Sequence, residues 1–450
     1  MLLNFTVENW MSYRDQTSLN MTASLERQHG RTLAKLPGFR SKKALPIAAV
    51  YGGNASGKTE VFRGIAALRH MVVSDPGVNG VLPMEPFMLE ANATMRPTTF
   101  DITFLAGSAV YRYIVEGTVD GILYESLEQV SEKGSVNVFE REETRSEPAH
   151  YKFNDLLFSA SDHLAYVAKG TRKNQTFLGN AVSQNVIELR EAYDWFADTL
   201  ELVGVGSHAR SFASAADSRE GFLEYAGNTL SRLDTGIIGL EGERVDMDVL
   251  PKDAELRKRL AELNKNELIT IIAERAAGDY EFEMFTVHAG EDRPVVERMR
   301  TLHMGPDKKR HSFGLGMESS GTKRLMGLLP MLFDLRDEAT PTKSKVYVVD
   351  ELDRCLHTML TMQLIEDFLD GCGETTRKQL IFTTHDLLLM DQSLMRRDEM
   401  YIAQRGVDGC SELVGLAEFK GIRFDKDLIR SYLDGRFGGI PMVKKASVRG

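Results

Sequence analysis

The chain has 450 residues, 42% of them hydrophobic and 27% charged, which is the composition of an ordinary folded protein with up to three domains, or one with insertions. Its net charge of −10 excludes a surface that is basic overall, although a local basic patch remains open. The three cysteines lack CxxC spacing, which argues against structural zinc or disulfides and favours a reducing cytoplasm. We find neither a signal peptide nor an apolar stretch of about 18 residues, so no membrane span is expected.

The first third of the chain predicts strands around one helix. Alternating apolar residues predict a strand over 2–8, and the apolar run 46–51 predicts a buried strand, central in a parallel sheet. A helix is expected over 58–72. Apolar runs separated by turn residues predict an antiparallel meander over 98–130.

The middle of the chain gives weaker patterns than its last third. Helices are expected near 180–201 and 253–277, and the leucines of the second suit either a short helical arm or an ordinary amphipathic helix. Residues 280–290 alternate as a strand would. The last third predicts a regular α/β alternation, with helices at about 319–335 and 357–370 and strands at 345–351 and 379–386.

The most specific motif is GGNASGKT at 52–59, which matches the pattern G-x-x-x-x-G-K-[ST]. It follows an expected strand and opens an expected helix, where glycines let backbone N–H groups surround phosphate oxygens. Lys58 is predicted to reach the β- and γ-phosphates, and Thr59 to offer its hydroxyl to Mg²⁺. The residues predicted to bind nucleotide here are Gly52, Gly53, Asn54, Ala55, Ser56, Gly57, Lys58 and Thr59.

Two further strand ends carry side chains suited to hydrolysis. The segment VYVVDE delivers Asp350, which is predicted to hold Mg²⁺ directly or through water, and Glu351, a candidate general base or water-orienting group. His385 ends another apolar strand, where parallel sheets bind ligands and an imidazole can contact a γ-phosphate. A solvated histidine is the alternative. We therefore predict catalytic roles for Lys58, Glu351 and His385, and metal binding by Thr59 and Asp350.

The segment ESSGTKRL at 318–325 opens a helix with small residues. Such a helix start can form a second phosphate-binding surface. Alternatively, Ser319 or Ser320 serves only as a helix cap.

These motifs, in this order, resemble the Walker A, signature, Walker B and switch-histidine motifs of ABC-class ATPases. ESSGTKRL in place of LSGGQ resembles the OLD-like AAA-family ATPases of bacterial anti-phage defence, such as the ATPase subunits of PARIS, AbiL and Septu. Further similarity lies in ENWMSYRD at 8–15, PFML at 86–89, DELDRCLH at 350–357 and the C-terminal segments 382–403 and 431–443. The resemblance covers about residues 1–130 and 305–442. Two departures are Met11, where the family usually has arginine, and the lack of a convincing Q-loop glutamine.

The resemblance implies an α/β fold class: an ABC/SMC-like P-loop ATPase head with an antiparallel β meander and a helical insertion. Residues 1–150 would form the N-terminal part of the head, with the P-loop and the meander. Residues 301–450 would form its C-terminal part, with signature, Walker B and switch histidine. A mostly helical insertion or arm would occupy residues 151–300.

The resemblance also implies partners. The expected cofactors, ATP and Mg²⁺, would lie between two heads of a homo-oligomer that is at least a head-to-tail dimer. Ser319 and Gly321 would contact the γ-phosphate in trans, and Asp353 to His357 would form a D-loop across the interface. The expected partner is an effector protein of TOPRIM/RloB-like or HNH nuclease type. A nucleic-acid partner stays open, and no membrane partner is expected.

The leading functional hypothesis is a cytoplasmic ABC-type ATPase that hydrolyses ATP at a head–head interface. It would act as sensor and scaffold for a nuclease or toxin in anti-phage defence. The alternative is a RecF/SMC-like DNA-binding ATPase in DNA repair, which requires a basic surface that the short basic groups of the sequence do not clearly provide. The large insertion and the signature variant argue against a transporter subunit, and neither a GTPase nor a kinase explains ESSGTKRL or His385.

Overall fold

The computed structural model describes residues 1–143, 149–158, 162–204, 208–251, 268–274, 282–288, 294–336, 344–419 and 427–439, with isolated positions between 252 and 267. The chain forms two compact units. The first comprises Met1–Leu202, Glu338–Leu352 and Leu364–Gly450, and the second comprises Val203–Asp337 and Asp353–Gln363. Within the described ranges, no helix is both long and apolar enough to cross a bilayer.

The described strands, numbered in chain order, are β1 (Leu2–Glu8), β2 (Thr17–Asn20), β3 (Ala34–Lys35), β4 (Lys43–Ala44), β5 (Ile47–Tyr51), β6 (Thr98–Ala106), β7 (Ala109–Thr118), β8 (Gly121–Ser131), β9 (Gly134–Glu142), β10 (His150–Phe153), β11 (Leu200–Val203), β12 (Ile237–Val245), β13 (Leu268–Glu274), β14 (Phe282–His288), β15 (Val295–Met304), β16 (Arg310–Gly314), β17 (Lys345–Val349), β18 (Lys378–Thr383), β19 (Met400–Arg405) and β20 (Ser411–Gly415). The described α-helices are Lys58–Val73, Asp162–Gly170, Phe177–Ser183, Arg190–Asp194, His208–Ser218, Phe222–Arg232, Ser320–Arg336, Thr358–Asp370 and Leu428–Leu433.

A six-stranded sheet organises the first unit, in the order β11-β17-β18-β5-β19-β20. Strands β17, β18, β5 and β19 run parallel, and β20 is antiparallel to β19. Every residue of β5 is buried, as expected for an inner strand of a sheet that is covered on both faces. The predicted central parallel strand is therefore confirmed.

A seven-stranded antiparallel sheet also belongs to the first unit, in the order β10-β9-β8-β7-β6-β1-β2. Strands β6, β7 and β8 confirm the predicted meander. The helix Lys58–Val73 packs closely on β1, because a Cβ at Gly64 would lie 3.2 Å from both Phe5 and Val7. The core of this unit therefore joins the parallel sheet, this helix and the antiparallel sheet.

The second unit contains three of the α-helices, His208–Ser218, Phe222–Arg232 and Ser320–Arg336, and an antiparallel sheet. The sheet order is β12-β15-β14-β13, and β16 pairs with β15. Its described apolar core includes Ile269, Phe285 and Val296.

Two expectations for the middle of the chain need correction. The predicted helix over 253–277 is wrong for 268–274, which form β13, and most of its remainder lies outside the described residues. The β-branched run in LITIIAE places Ile269 and Ile271 on one buried face, as a strand requires. Strands β12 to β15 occupy most of the described part of the insertion after residue 237, whereas helices form most of the elements described before it. The mostly helical insertion over 151–300 stays a prediction.

The helix predicted near 180–201 is divided into short pieces. The helix Phe177–Ser183 ends before Asn185, which adopts the left-handed conformation with φ 64° and so interrupts the helical path. The chain then forms the helix Arg190–Asp194, a π-helical turn over Trp195–Thr199 and strand β11.

Candidate functional site

The loop after β5 has a conformation that only glycine satisfies at two points. Gly52 has φ 153°, and a Cβ there would lie 2.4 Å from the carbonyl oxygen of Ala403 on β19. Gly57 has φ 100°, and a Cβ there would lie 2.8 Å from Oγ of Ser411 on β20. The neighbouring strands therefore leave no room for a side chain at these two positions. The backbone N–H groups of the loop are consequently not covered by side chains there.

Lys58 begins the helix and turns its side chain back over this loop. Its buried ammonium donates to the carbonyl oxygens of Gly52 at 2.7 Å and Gly53 at 2.9 Å. Asn54 and Ala55 lie exposed at the loop tip. The first N–H groups of a helix have no intrahelical acceptor, so this helix start can bind an anion together with the loop.

Ser56 supplies a separate indication that the loop fits a phosphate group. Its side chain is buried, and its hydroxyl finds no hydrogen-bond partner among the described residues. A buried polar atom without a partner is unfavourable unless a ligand or water satisfies it. The residues present are therefore suited to a phosphate-bearing ligand such as ATP.

The two predicted metal ligands meet at the end of β17. The hydroxyl of Thr59 donates to the carboxylate of Asp350, at 3.0 Å to Oδ1 and 3.2 Å to Oδ2. A hydroxyl and a carboxylate are hard oxygen donors of the kind that Mg²⁺ takes from proteins. This donor pair fits the expected cation.

Glu351, which follows β17, and His385, which follows β18, have side chains that lie close together. Nε2 of His385 lies 3.6 Å from Oε1 of Glu351, and both side chains are partly exposed, at 39% and 31%. Glu351 has φ 50°, in the left-handed region that a non-glycine residue rarely adopts. The carboxylate and the imidazole are thus close together and accessible to water.

Thr383, the last residue of β18, was not identified from the sequence. Its buried hydroxyl donates to Oδ1 of Asp350 at 2.7 Å and accepts the backbone N–H of Glu351 at 2.7 Å. Only the strand order reveals this role, because β18 lies between β5 and β17. The available signal was a polar residue at the end of an apolar strand.

Residues of the N-terminal segment form hydrogen bonds with the start of the P-loop helix. This role was not predicted from the sequence. The indole of Trp10 donates to the carbonyl oxygen of Glu60 at 2.7 Å, and the backbone N–H of Ser12 donates to Glu60 Oε2 at 2.8 Å. Tyr13 donates its hydroxyl to the carbonyl oxygen of Gly57 at 3.1 Å. Burial, with Glu60 nearby, raises the pKa of Tyr13 well above its usual range, so the phenol stays a neutral donor.

Met11 stands where the OLD-like ATPases usually have arginine, and here its backbone and side chain make contacts within the first unit. It adopts φ 50°, and its N–H donates to the carbonyl oxygen of Glu85 at 2.6 Å. Its side chain is partly buried against the core of the first unit.

The signature residues lie in the second unit. The hydroxyl of Ser319 accepts the N–H of Thr322 at 3.1 Å and so caps the helix Ser320–Arg336. A Cβ at Gly321 would lie 2.6 Å from the carbonyl oxygen of Cys355, in the predicted D-loop. Ser319 therefore has a capping role, and Gly321 leaves room for the D-loop backbone.

Glu318 attaches the signature segment to the sheet of the same unit. Its Oε1 accepts hydrogen bonds from Thr301 at 2.5 Å and from the imidazole of His303 at 2.8 Å, both on β15. The start of the signature helix is thereby fixed to the sheet of the insertion.

A parallel sheet that carries a P-loop, a Mg²⁺-type donor pair and a carboxylate–imidazole pair at its strand ends is typical of P-loop ATPases of the ABC/AAA type. The chain belongs to the family described as "AAA domain, putative AbiEii toxin, Type IV TA system", whose model matches residues 47–391. This membership agrees with the predicted ABC/AAA-type ATPase. The narrower resemblance to OLD-like defence ATPases stays a prediction.

Two solved structures of SMC heads are similar to this chain. The "SMC head domain from Thermotoga maritima" is 14% identical, covers 92% of this chain and 98% of its own length, and has a TM-score of 0.38. The SmcHead bound to the C-winged helix domain of ScpA is 13% identical, covers 92% of this chain and 97% of its own length, and has a TM-score of 0.40. No curated protein matches the chain.

Proposed function

We propose that this chain is an ATPase that hydrolyses ATP with Mg²⁺ at an interface between two heads. We further propose that it acts as sensor and scaffold for a partner effector, a nuclease or toxin, in anti-phage defence. The observation that carries the proposed hydrolysis is one cluster at the strand ends. There Thr59 contacts Asp350 at 3.0 Å, and His385 lies 3.6 Å from Glu351.

Each residue of the cluster has a role in this proposal. Lys58 and the loop N–H groups bind the phosphates, while Thr59 and Asp350 hold Mg²⁺, which supplies charge neutralisation when bound. Glu351 accepts a proton from the attacking water or orients it. His385, whose Nε2 lies 3.6 Å from the Glu351 carboxylate, would contact the γ-phosphate.

The head-to-tail dimer is part of the same proposal. Ser319 and Gly321 belong to the second unit, whereas the P-loop, Asp350 and Glu351 belong to the first. The helix Ser320–Arg336 begins beside these small residues, and a helix start with unsatisfied N–H groups favours an anion. In a second copy, this helix start would complete the γ-phosphate site.

The effector role is supported by the family. Its description refers to a toxin and to a type IV toxin–antitoxin system. A chain that belongs to it and carries an ATPase site is suited to act with a toxic partner. Expression with the neighbouring gene of its own genome, followed by phage challenge, tests this role. Protection that requires both genes and an intact Glu351 supports it, and protection that is independent of the chain contradicts it.

The mass of Glu351→Gln in solution, with and without ATP and Mg²⁺, tests the site and the dimer together. Removing the carboxylate should slow turnover by about 100-fold or more while ATP stays bound, so that an ATP-dependent dimer accumulates. Glu188→Gln, at an exposed position, is the matched control and should hydrolyse ATP normally. A monomer under both conditions would contradict the in-trans roles of Ser319 and Gly321.

Two other results would change the proposal. An assembly larger than a dimer, with the same mass with and without ATP, would indicate a constitutive scaffold rather than a transient dimer. Stimulation of hydrolysis by duplex DNA, with binding that weakens steeply as salt rises, would favour the DNA-repair alternative.

A further inference from the structure

The hydroxyl of Thr383 connects the two carboxylate residues of the site. Thr383 is fully buried, and a threonine hydroxyl has one proton to donate and lone pairs that accept. It donates the proton to Oδ1 of Asp350 at 2.7 Å. It accepts the backbone N–H of Glu351, also at 2.7 Å. The adjacent acidic residues are therefore both held by one side chain on another strand.

We propose that Thr383 is a positioning residue that orients the Asp350 carboxylate toward Mg²⁺ and fixes the backbone that presents Glu351. This inference rests on the proposed ATPase function. It assigns no contact with substrate to Thr383, which acts through its two neighbours.

The first effect concerns the carboxylate of Asp350. Rotation of a carboxylate about its last side-chain torsion is only weakly restricted, so hydrogen bonds decide which way its oxygens face. The hydrogen bond from Thr59 is made by a residue that is itself an expected metal ligand. The bond from Thr383 is made by a buried hydroxyl that is not an expected metal ligand, and it stays available to hold Oδ1 when Thr59 binds the cation.

The second effect concerns the backbone of Glu351. Its φ of 50° lies in a region that non-glycine residues rarely occupy, so a specific contact is needed to keep it there. The bond from its N–H to Thr383 is such a contact. Because one hydroxyl makes both bonds, a shift of Thr383 would disturb the cation site and the catalytic carboxylate together.

Thr383→Val tests the proposal, because valine keeps the shape and removes the hydroxyl. We expect Mn²⁺ affinity, measured by electron paramagnetic resonance with a non-hydrolysable ATP analogue, to fall about 10-fold or more, as for other groups that support metal ligands. The Mg²⁺ concentration for half-maximal hydrolysis should rise similarly, and kcat should fall. Binding of the analogue without metal should not change.

Three variants control this experiment. Thr383→Ser keeps the hydroxyl and should restore the metal affinity. Thr383→Ala provides a second deletion of the hydroxyl if the valine variant does not fold. Thr98→Val removes another buried threonine hydroxyl, which donates to the carbonyl oxygen of Asn9 at 2.8 Å, and should leave the metal affinity unchanged.

The results separate this proposal from the proposed function. Wild-type metal affinity in Thr383→Val and Thr383→Ala, or equal impairment in Thr383→Ser, would overturn the role of Thr383. A wild-type chain that binds Mn²⁺ with the analogue but hydrolyses no ATP would contradict the ATPase function, and the Mn²⁺ affinities would still decide the role of Thr383.

Discussion

The hydroxyl of Thr59 donates to the carboxylate of Asp350 at 3.0 Å, although 291 positions separate the two residues. This contact joins the start of the P-loop helix to the end of β17. It exists because β5 and β17 run parallel in one sheet, so that their carboxyl ends lie at the same edge. Distant parts of the chain therefore build one site.

Replacing Lys58 with alanine should weaken nucleotide binding strongly. The buried ammonium already lies over the loop, where it donates to the carbonyl oxygens of Gly52 and Gly53. Loss of a charge-assisted contact to phosphate should weaken ATP binding by about 10- to 100-fold. Titration calorimetry with ATP and Mg²⁺ measures this change.

Lys133→Ala is the control for Lys58→Ala, since Lys133 is exposed at a turn between β8 and β9. It should bind ATP as the wild type does. Unchanged affinity in Lys58→Ala, with a normal melting temperature, would show that the loop does not bind phosphate as we assign it.

Replacing Gly321 with alanine should disturb the signature segment and the D-loop together. The added Cβ would lie 2.6 Å from the carbonyl oxygen of Cys355, so the backbone of one segment has to move. Such overpacking costs about 1–3 kcal/mol. We expect a lower melting temperature and slower ATP turnover, with ATP binding by the P-loop retained.

Gly373→Ala is the matched control for this change, because a Cβ at Gly373 meets no atom within 4 Å. It should melt and hydrolyse ATP as the wild type does. If Gly321→Ala matched it in both measurements, close packing of Gly321 on the D-loop would be excluded.

Replacing Glu399 with glutamine should stabilise the protein at neutral and mildly alkaline pH. The pKa of Glu399 is raised from its ordinary value of 4.5 to about 8, chiefly by burial. The backbone N–H and the guanidinium of Arg396 oppose this rise, and the Asp398 and Glu26 carboxylates add to it. The unfolded chain therefore loses this proton at lower pH than the folded chain. Between these values, stability falls by about 1.4 kcal/mol per pH unit as pH rises.

The glutamine variant lacks this titration but can still accept the backbone N–H of Arg396, which donates to Glu399 at 2.8 Å. In urea unfolding, the free energy of unfolding of Glu399→Gln should exceed that of the wild type by an amount that grows as pH rises from 4.5 to 8. Glu374→Gln should instead be less stable than the wild type by a nearly constant amount over this range, because a hydrogen bond from Lys35 lowers the pKa of Glu374 and its stabilising charge is lost only below pH 4.5. Parallel pH profiles for wild type and Glu399→Gln would contradict the raised pKa.

Most residues of the candidate site could be predicted from the sequence. They lie in short segments whose own residues specify the local structure. GGNASGKT at 52–59 specifies its own turn and helix start, because its glycines and the following helical pattern act over neighbouring residues. The apolar strands before Asp350 and His385 were recognisable for the same reason. The helix predicted over 253–277 failed at β13, where pairing with β14 decides the structure of LITIIAE.

The sequence by itself determined the P-loop, the order of the motifs and the strands that present Asp350, Glu351 and His385, since each depends on residues close together in the chain. Only the tertiary structure decided that β18 lies between β5 and β17, and that Thr383 therefore reaches both Asp350 and Glu351. It also decided that Ser12 and Ser411, 399 positions apart, meet beside the P-loop helix. Strand order depends on which distant surfaces pack together, and local sequence patterns do not contain that information.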